Sequence, residues 1–331
     1  MQLADSYGRV ATDLRVSLTD RCNLRCTYCM PAEGLAWLPR PEILTDSEVL
    51  RLVAIAVTRL GVTEIRLTGG EPTLRPGLVS LVQAITALVP RPEVALTTNG
   101  LLLGGSGGLA GALAAAGMDR VNVSLDTLRP DRFGEITRRH RLDDVFAGLE
   151  AAARAGFAPV KVNAVLMRGV NDDEAVPLLH WCLDRGYELR FIEQMPLDAQ
   201  GGWRREQMVT AAEILDRLAA EFTLTPAPGR GNAPAELFTI DAGPGQVGVI
   251  ASVSAPFCAA CDRVRLTADG QVRDCLFART ESDLRTPLRS GADDEEIAAR
   301  WVRAVRAKRA GHGIDVPGFV QPARPMSAIG G

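Results

Sequence analysis

Two hydrophobic periods alternate along residues 13–195. Runs that read apolar–polar with a period of two occupy 14–18, 64–68, 93–97, 120–125, 160–166 and 188–193. Stretches with apolar residues at helical spacing follow at 46–60, 77–89, 107–116, 143–155, 172–185 and 210–221. The first of these opens on a capping box, Thr45 with Glu48. Six strand–helix units at this spacing predict an α/β fold with a parallel sheet and right-handed crossovers. Six rather than eight predicts an incomplete (β/α)6 TIM-like barrel. After residue 222, Pro226, Pro228, Gly229, Gly231 and Pro234 read as a linker. Strands at 236–240, 247–251 and 263–267 and a helix at 293–309 then predict a small C-terminal α+β domain. The expected organisation is a barrel over 1–222, a second domain over 223–310 and an extended tail over 311–331 without regular structure.

The strands carry a functional signal. A parallel sheet covered on both faces normally reads as continuous Val, Ile and Leu. Here Leu14, Val16 and Leu18 oppose Arg15 and Ser17, and Ile65 and Leu67 oppose Arg66 and Thr68. Thr97 opposes Val94 and Leu96; Asn122, Ser124 and Asp126 oppose Val121, Val123 and Leu125; Lys161 and Asn163 oppose Val160 and Val162. The apolar face must pack on helices, so the polar face points into the barrel. Unpaired charges in a dry interior would cost several kcal/mol. The barrel is therefore expected to hold a wet cavity, and Arg15, Arg66 and Lys161 make its ligand an anion, a polyphosphate or carboxylate. The sixth strand does not declare which face is inward.

Composition narrows the function. The chain has 331 residues, 23% of them charged, with a formal net charge of −3, which argues against a nucleic-acid or membrane-surface binder. The polar N-terminus is unlike a signal peptide, and no apolar run reaches the ~20 residues of a membrane span. The expected location is cytoplasmic, where thiols stay reduced. Seven cysteines then read as metal ligands or buried thiols.

Cys22, Cys26 and Cys29 follow the first strand, where barrel active sites are built. Three thiolates at this unequal spacing suit three irons of a [4Fe–4S] cluster and leave the fourth iron open; zinc prefers four ligands in pairs. Cys258, Cys261 and Cys275 form a second set of three, flanked by Arg263 and Arg265, which would line an anion site. A second open cluster is favoured there, and zinc with Asp262 or Asp274 as fourth ligand is the alternative. Cys182 reads as a packing thiol. His140, His180 and His312 show no ligand spacing and read as ordinary surface or packing residues.

The run Asp20 to Pro31 around the first cysteines resembles the radical S-adenosylmethionine (SAM) superfamily motif, and Thr68-Gly69-Gly70-Glu71-Pro72 resembles that superfamily's glycine-rich segment. With the second cysteine set, and with Thr97-Thr98-Asn99-Gly100, Asn122 to Asp126, Val160 to Asn163, Arg190 to Glu193 and Cys258 to Arg265, the chain resembles the GTP 3′,8-cyclases of molybdenum cofactor biosynthesis from Asp13 to Gly330-Gly331. That resemblance implies two [4Fe–4S] clusters and S-adenosylmethionine as cofactors. It makes Arg15, Arg66, Thr97, Lys161, Arg263, Val264 and Arg265 GTP-binding, and Tyr28, Gly70, Ser124 and Met195 contacts to S-adenosylmethionine. The implied reaction abstracts hydrogen from C3′ of the GTP ribose, and the carbon radical attacks C8 of guanine. It also implies an external electron donor, a monomer or homodimer, a product passed to cyclic pyranopterin monophosphate synthase, and a C-terminal tail that inserts toward the site. The glycine cluster at 104–108 departs from the family spacing and lacks a phosphate-loop pattern. Two rivals are a peptide-modifying radical SAM enzyme, which often carries more cluster cysteines, and a non-enzymatic iron–sulfur sensor.

Overall fold

The computed structural model describes residues 1–330; Gly331, the last residue of the paired glycines, lies outside the described residues. Six strands, β1 (Asp13–Ser17), β2 (Glu64–Thr68), β3 (Glu93–Thr98), β4 (Arg120–Ser124), β5 (Lys161–Val165) and β6 (Glu188–Ile192), pair in order and in parallel. Helices α1 (Asp46–Leu60), α2 (Leu78–Thr86), α3 (Leu109–Ala115), α4 (Pro130–Thr137), α5 (Leu142–Arg154), α6 (Ala175–Leu183) and α7 (Ala211–Ala219) connect them or follow. The incomplete (β/α)6 barrel is the observed architecture. The capping box on α1 is present: Thr45 accepts from the Glu48 N–H, and Glu48 accepts from the Thr45 N–H. Helix α4 was not expected, because its eight residues span barely two turns and show too short a periodicity.

The C-terminal strands continue the same sheet at both ends. Strand β9 (Gln246–Ile250) runs parallel to β6 and is followed outward by β8 (Glu236–Ile240) and β7 (Leu224–Pro226). At the other end β10 (Arg263–Leu266) runs parallel to β1, followed by β11 (Gln271–Arg273) and β12 (Ser282–Asp283). Helices α8 (Arg285–Arg289), α9 (Asp294–Arg306) and α10 (Met326–Ile329) complete the fold. The one-turn α10 corrects the expectation that 311–331 is without regular structure. Among the described residues, no helix is long and apolar enough to cross a membrane.

Register turns the alternating pattern into rows. Leu14, Val16, Ile65, Leu67, Val121, Val123 and Val162 are fully buried against the helices. On the opposite face, pairing sets Arg265, Arg15 and Arg66 side by side across β10, β1 and β2. A second row runs Thr97, Asn122, Lys161 and Glu188 across β3 to β6. Strand β6, ambiguous from sequence, turns Leu189 and Phe191 to the core and Arg190 inward.

Glu193, just past β6, ties the barrel to its C-terminal extension. Its fully buried carboxylate accepts from the N–H groups of Ala211 (2.7 Å), Val253 (2.8 Å) and Ser254 (2.8 Å), and from the Ser254 hydroxyl. Glu193→Ala strands two buried N–H donors, of Ala211 and Val253, at about 1–3 kcal/mol each, and the part-buried one of Ser254. The variant is expected to lose roughly 3–5 kcal/mol in a denaturant titration.

Candidate active site

The first cysteine loop leaves β1 and is held by main-chain bonds. Arg25 and Thr27 donate to the carbonyls of Thr137 and Ile136 at the end of α4, and Cys29 and Met30 donate to the Cys26 carbonyl. Cys22 Sγ receives the Leu24 N–H at 3.4 Å and the Asn99 amide at 3.8 Å. Burial, and after it charge around and within the set, raises all three thiols, Cys29 to about 12. Such thiols stay protonated until a metal replaces the proton. Among the described residues no three cysteine, histidine or acidic side chains converge at the spacing of a single ion. A polynuclear cluster, whose cysteines bind different irons, holds its ligands further apart.

Glycines at the end of β2 let two loops touch. Gly70 N–H donates to the Thr19 carbonyl at 2.6 Å, and a Cβ on Gly70 would collide with the Asp20 and Arg21 carbonyls. Glu71 then locks the next loop. Its buried carboxylate accepts from the Thr73 N–H (3.0 Å) and hydroxyl (2.5 Å), the Thr98 hydroxyl (2.6 Å) and the Asn99 N–H (2.7 Å). Burial raises its carboxyl despite these four bonds. Asp126, pushed by burial up to about 6, accepts from the Tyr28 hydroxyl (2.7 Å) and the Val165 N–H (2.9 Å).

Below this ring lies the cation row. Asp13 reaches Arg15 and Arg66 only at 3.9 and 4.0 Å, beyond hydrogen bonding. Burial first, and then mutual repulsion, holds Arg15 well below an ordinary guanidinium; Arg265 is lowered to about 10. Buried nitrogens of Arg15, Arg66, Arg263 and Arg265 have no hydrogen-bond partner. Arg263 also stacks on Phe257 at 4.7 Å. A dry barrel would not tolerate these groups, so the arrangement asks for a polyanion.

The second cysteine set faces the same space. Burial raises Cys275, whereas at Cys261 the Arg263 and Lys308 cations outweigh burial and bring the thiol down to about 7. Arg9 donates to the Cys258 carbonyl at 2.7 Å. The tail closes over the top: Ser17 donates to the Ile329 carbonyl at 3.0 Å, and Met326 N–H donates to the Leu197 carbonyl at 2.9 Å.

One cavity of about 330 Å³ gathers these parts. All six cysteines line it, with Arg15, Arg66, Thr97, Arg263 and Arg265, and with Tyr28, Gly70, Ser124 and Met195. Two candidates do not. Val264 is packed in the hydrophobic core, and Lys161 sits off the lining, 3.8 Å from Glu188. His312, read from sequence as an ordinary residue, lines the cavity with a ring nitrogen 3.1 Å from the Ser252 carbonyl, and burial lowers its pKa. Arg190 lines it too, bonded at 2.7 Å to Glu188. Cys182 is a core thiol as expected.

Comparison with known proteins agrees with this geometry. The family model described as "Radical SAM superfamily" matches residues 16–182, and "Molybdenum Cofactor Synthesis C" matches 187–314. A protein of Streptomyces coelicolor named GTP 3′,8-cyclase is 66% identical over 332 residues, covering 99% of this chain and 96% of the relative. The chain belongs to the GTP 3′,8-cyclase family of the radical SAM superfamily. A second relative, GTP 3′,8-cyclase 2 of Mycobacterium tuberculosis, is 59% identical over 99% of this chain and 92% of its own length. The fold is shared with SuiB of Streptococcus suis, at a TM-score of 0.63 and 15% identity, over 92% of this chain and 70% of that one. Superfamily membership implies a [4Fe–4S] cluster and S-adenosylmethionine as cofactors.

The thiol asymmetry is directly testable. In the metal-free chain at about pH 8, a thiol near 7 is mostly thiolate and one near 12 is not. Iodoacetamide is expected to label Cys261 well ahead of Cys29 when sites are followed by peptide mass spectrometry.

Proposed function

We infer that this chain converts GTP to (8S)-3′,8-cyclo-7,8-dihydro-GTP, the first step of molybdenum cofactor biosynthesis. The observation that carries the reading is the row of buried guanidinium groups with unsatisfied nitrogens, set in one cavity with two triads of thiols. Cys22, Cys26 and Cys29 would hold the first cluster, beside the site for S-adenosylmethionine. When bound, this reduced cluster supplies the electron that cleaves S-adenosylmethionine to the 5′-deoxyadenosyl radical. Tyr28, Gly70, Ser124 and Met195 contact that cofactor. Gly70 fits closely against the first cysteine loop, where a Cβ would collide with the Asp20 and Arg21 carbonyls.

Arg15, Arg66, Arg263 and Arg265 hold the triphosphate, Lys161 binds GTP through its positive charge from just off the lining beside Glu188, and Thr97 helps to seat the nucleoside. Val264 contributes through its backbone only, since its side chain is in the core. Bidentate guanidinium contacts fix the phosphates and so the ribose, which keeps C3′ and C8 within reach of each other. Cys258, Cys261 and Cys275 would hold a second [4Fe–4S] cluster, which would help to seat the guanine base. An external donor supplies electrons, and the product passes to cyclic pyranopterin monophosphate synthase.

The test is anaerobic turnover with reductant, S-adenosylmethionine and each of the four nucleoside triphosphates in turn. 5′-Deoxyadenosine release is expected with GTP alone and is lost in Cys22→Ala; equal release without nucleotide would defeat the assignment. Iron analysis is expected to give about eight irons per chain. Arg265→Ala is expected to weaken GTP binding roughly tenfold to a hundredfold, the worth of a charge-assisted hydrogen bond, with iron content unchanged. Loss of iron in that variant would make Arg265 structural.

A further inference from the structure

Of 37 lysines and arginines only two, Lys161 and Lys308, are lysines. Arginine is the chain's default cation, and both lysines are buried, at 8% and 4% exposure. Lys161 belongs to the strand rows already described. Lys308 lies outside them, two residues past the end of α9. Its ammonium donates to the Arg263 carbonyl at 2.9 Å, the Cys261 carbonyl at 3.2 Å and Cys261 Sγ at 3.3 Å.

Three donors meet three acceptors, which is the full capacity of an ammonium. A guanidinium spreads five donors in a rigid plane and does not converge on so compact a set. None of the three acceptors is a carboxylate. Two are neutral carbonyls, so the sulfur is the one acceptor that can carry counter-charge. Asp274 lies within electrostatic reach, but none of the ammonium's three hydrogen bonds goes to it. A buried ammonium without counter-charge is strongly disfavoured. The ammonium of Lys308 is therefore placed to donate to Cys261 Sγ and to face an anionic assembly bound there.

We propose that Lys308 is a positioning residue for the cluster at Cys258, Cys261 and Cys275, fixing Cys261 against the start of β10 and raising the cluster's reduction potential. The inference rests on the second-cluster reading given above. Hydrogen bonds to sulfur and adjacent positive charge favour the reduced, more negative form of a cluster. Because the same ammonium holds the Arg263 carbonyl, it couples the cluster ligand to the cationic strand that faces the substrate.

The test uses the full chain with Cys22, Cys26 and Cys29 replaced by alanine, so that only the second cluster reports. Iron content and midpoint potential are read anaerobically by an EPR-monitored redox titration. Lys308→Met keeps the apolar stem and removes the charge. It is expected to retain about four irons per chain and to shift the midpoint to more negative potential, while Lys308→Arg restores part of the shift. A midpoint in Lys308→Met that is unchanged or more positive overturns the inference. Should Lys308→Met lose its iron, Lys308→Gln, which still donates to sulfur, is read in the same way, and loss of iron in both variants overturns the tuning role. A background chain that binds zinc, or no iron, before any change at Lys308 overturns the second-cluster reading and the inference with it. That outcome is distinct from any shift produced at Lys308.

Discussion

Repulsion among buried guanidinium groups is the constraint around which the barrel is arranged. Parallel pairing places neighbouring same-face residues about 4.8 Å apart, so Arg265, Arg15 and Arg66 stand close enough to oppose one another's charge. Asp13 lies near Arg15 and Arg66, but at distances too long for hydrogen bonds. The sheet tolerates the row because Leu14, Val16, Ile65 and Leu67 anchor the opposite face in the core. What the protein gives up in stability it can recover when a polyanion enters, since each unsatisfied N–H then gains an acceptor. The same constraint explains the open barrel. A fully closed eight-stranded sheet fills its interior with packed side chains, whereas this one keeps a cavity of about 330 Å³.

Much of that architecture was legible in the sequence because it is local. The period of two in 14–18 and 64–68 fixed which residues face inward, and Thr45 with Glu48 fixed where α1 begins. The position of the C-terminal strands was not legible. Nothing in 263–267 or 247–251 states that β10 joins β1 and β9 joins β6, because edge pairing depends on contacts more than 50 residues apart. Helix α4 escaped for the opposite reason. Its signals, Pro130 at the first turn and Asp131 behind it, are present but too brief to establish a period.

The site divides along the same line. Cysteine spacing and inward-facing arginines are carried by short motifs, and the structure brings them to one cavity. Val264 sits inside such a motif yet faces the core, since a strand alternates whatever its neighbours do. Glu71 and Asp126 stood within quoted segments, but Thr98 and Tyr28, which bond them, lie in other parts of the chain; Arg190 stood within one too, and its partner Glu188 is two residues back on the same strand. His312 had no sequence signal at all. It reaches the cavity only because the chain after α9 folds back to the Ser252 carbonyl. The scarcity of lysine was visible from the outset, and its meaning needed the three acceptors around Lys308.

The tail shows how a weakly patterned segment can be specified by few anchors. Arg324 forms a two-pronged bond to Asp269 at 2.9 and 2.6 Å and reaches Glu281, and burial of Ile329 with Leu197 and Phe277 forms a small core of its own. Apart from the one-turn α10 the tail has no helix or strand, which is why glycine and proline can recur along it. Its end is held more strictly. Gly330 takes a φ of 86°, and a Cβ there would collide with Ser17 and crowd Thr68 at the mouths of β1 and β2. Only glycine combines that backbone conformation with that close an approach. The electrostatic row below and the glycine above therefore bound the same cavity, one by charge and the other by the absence of a side chain.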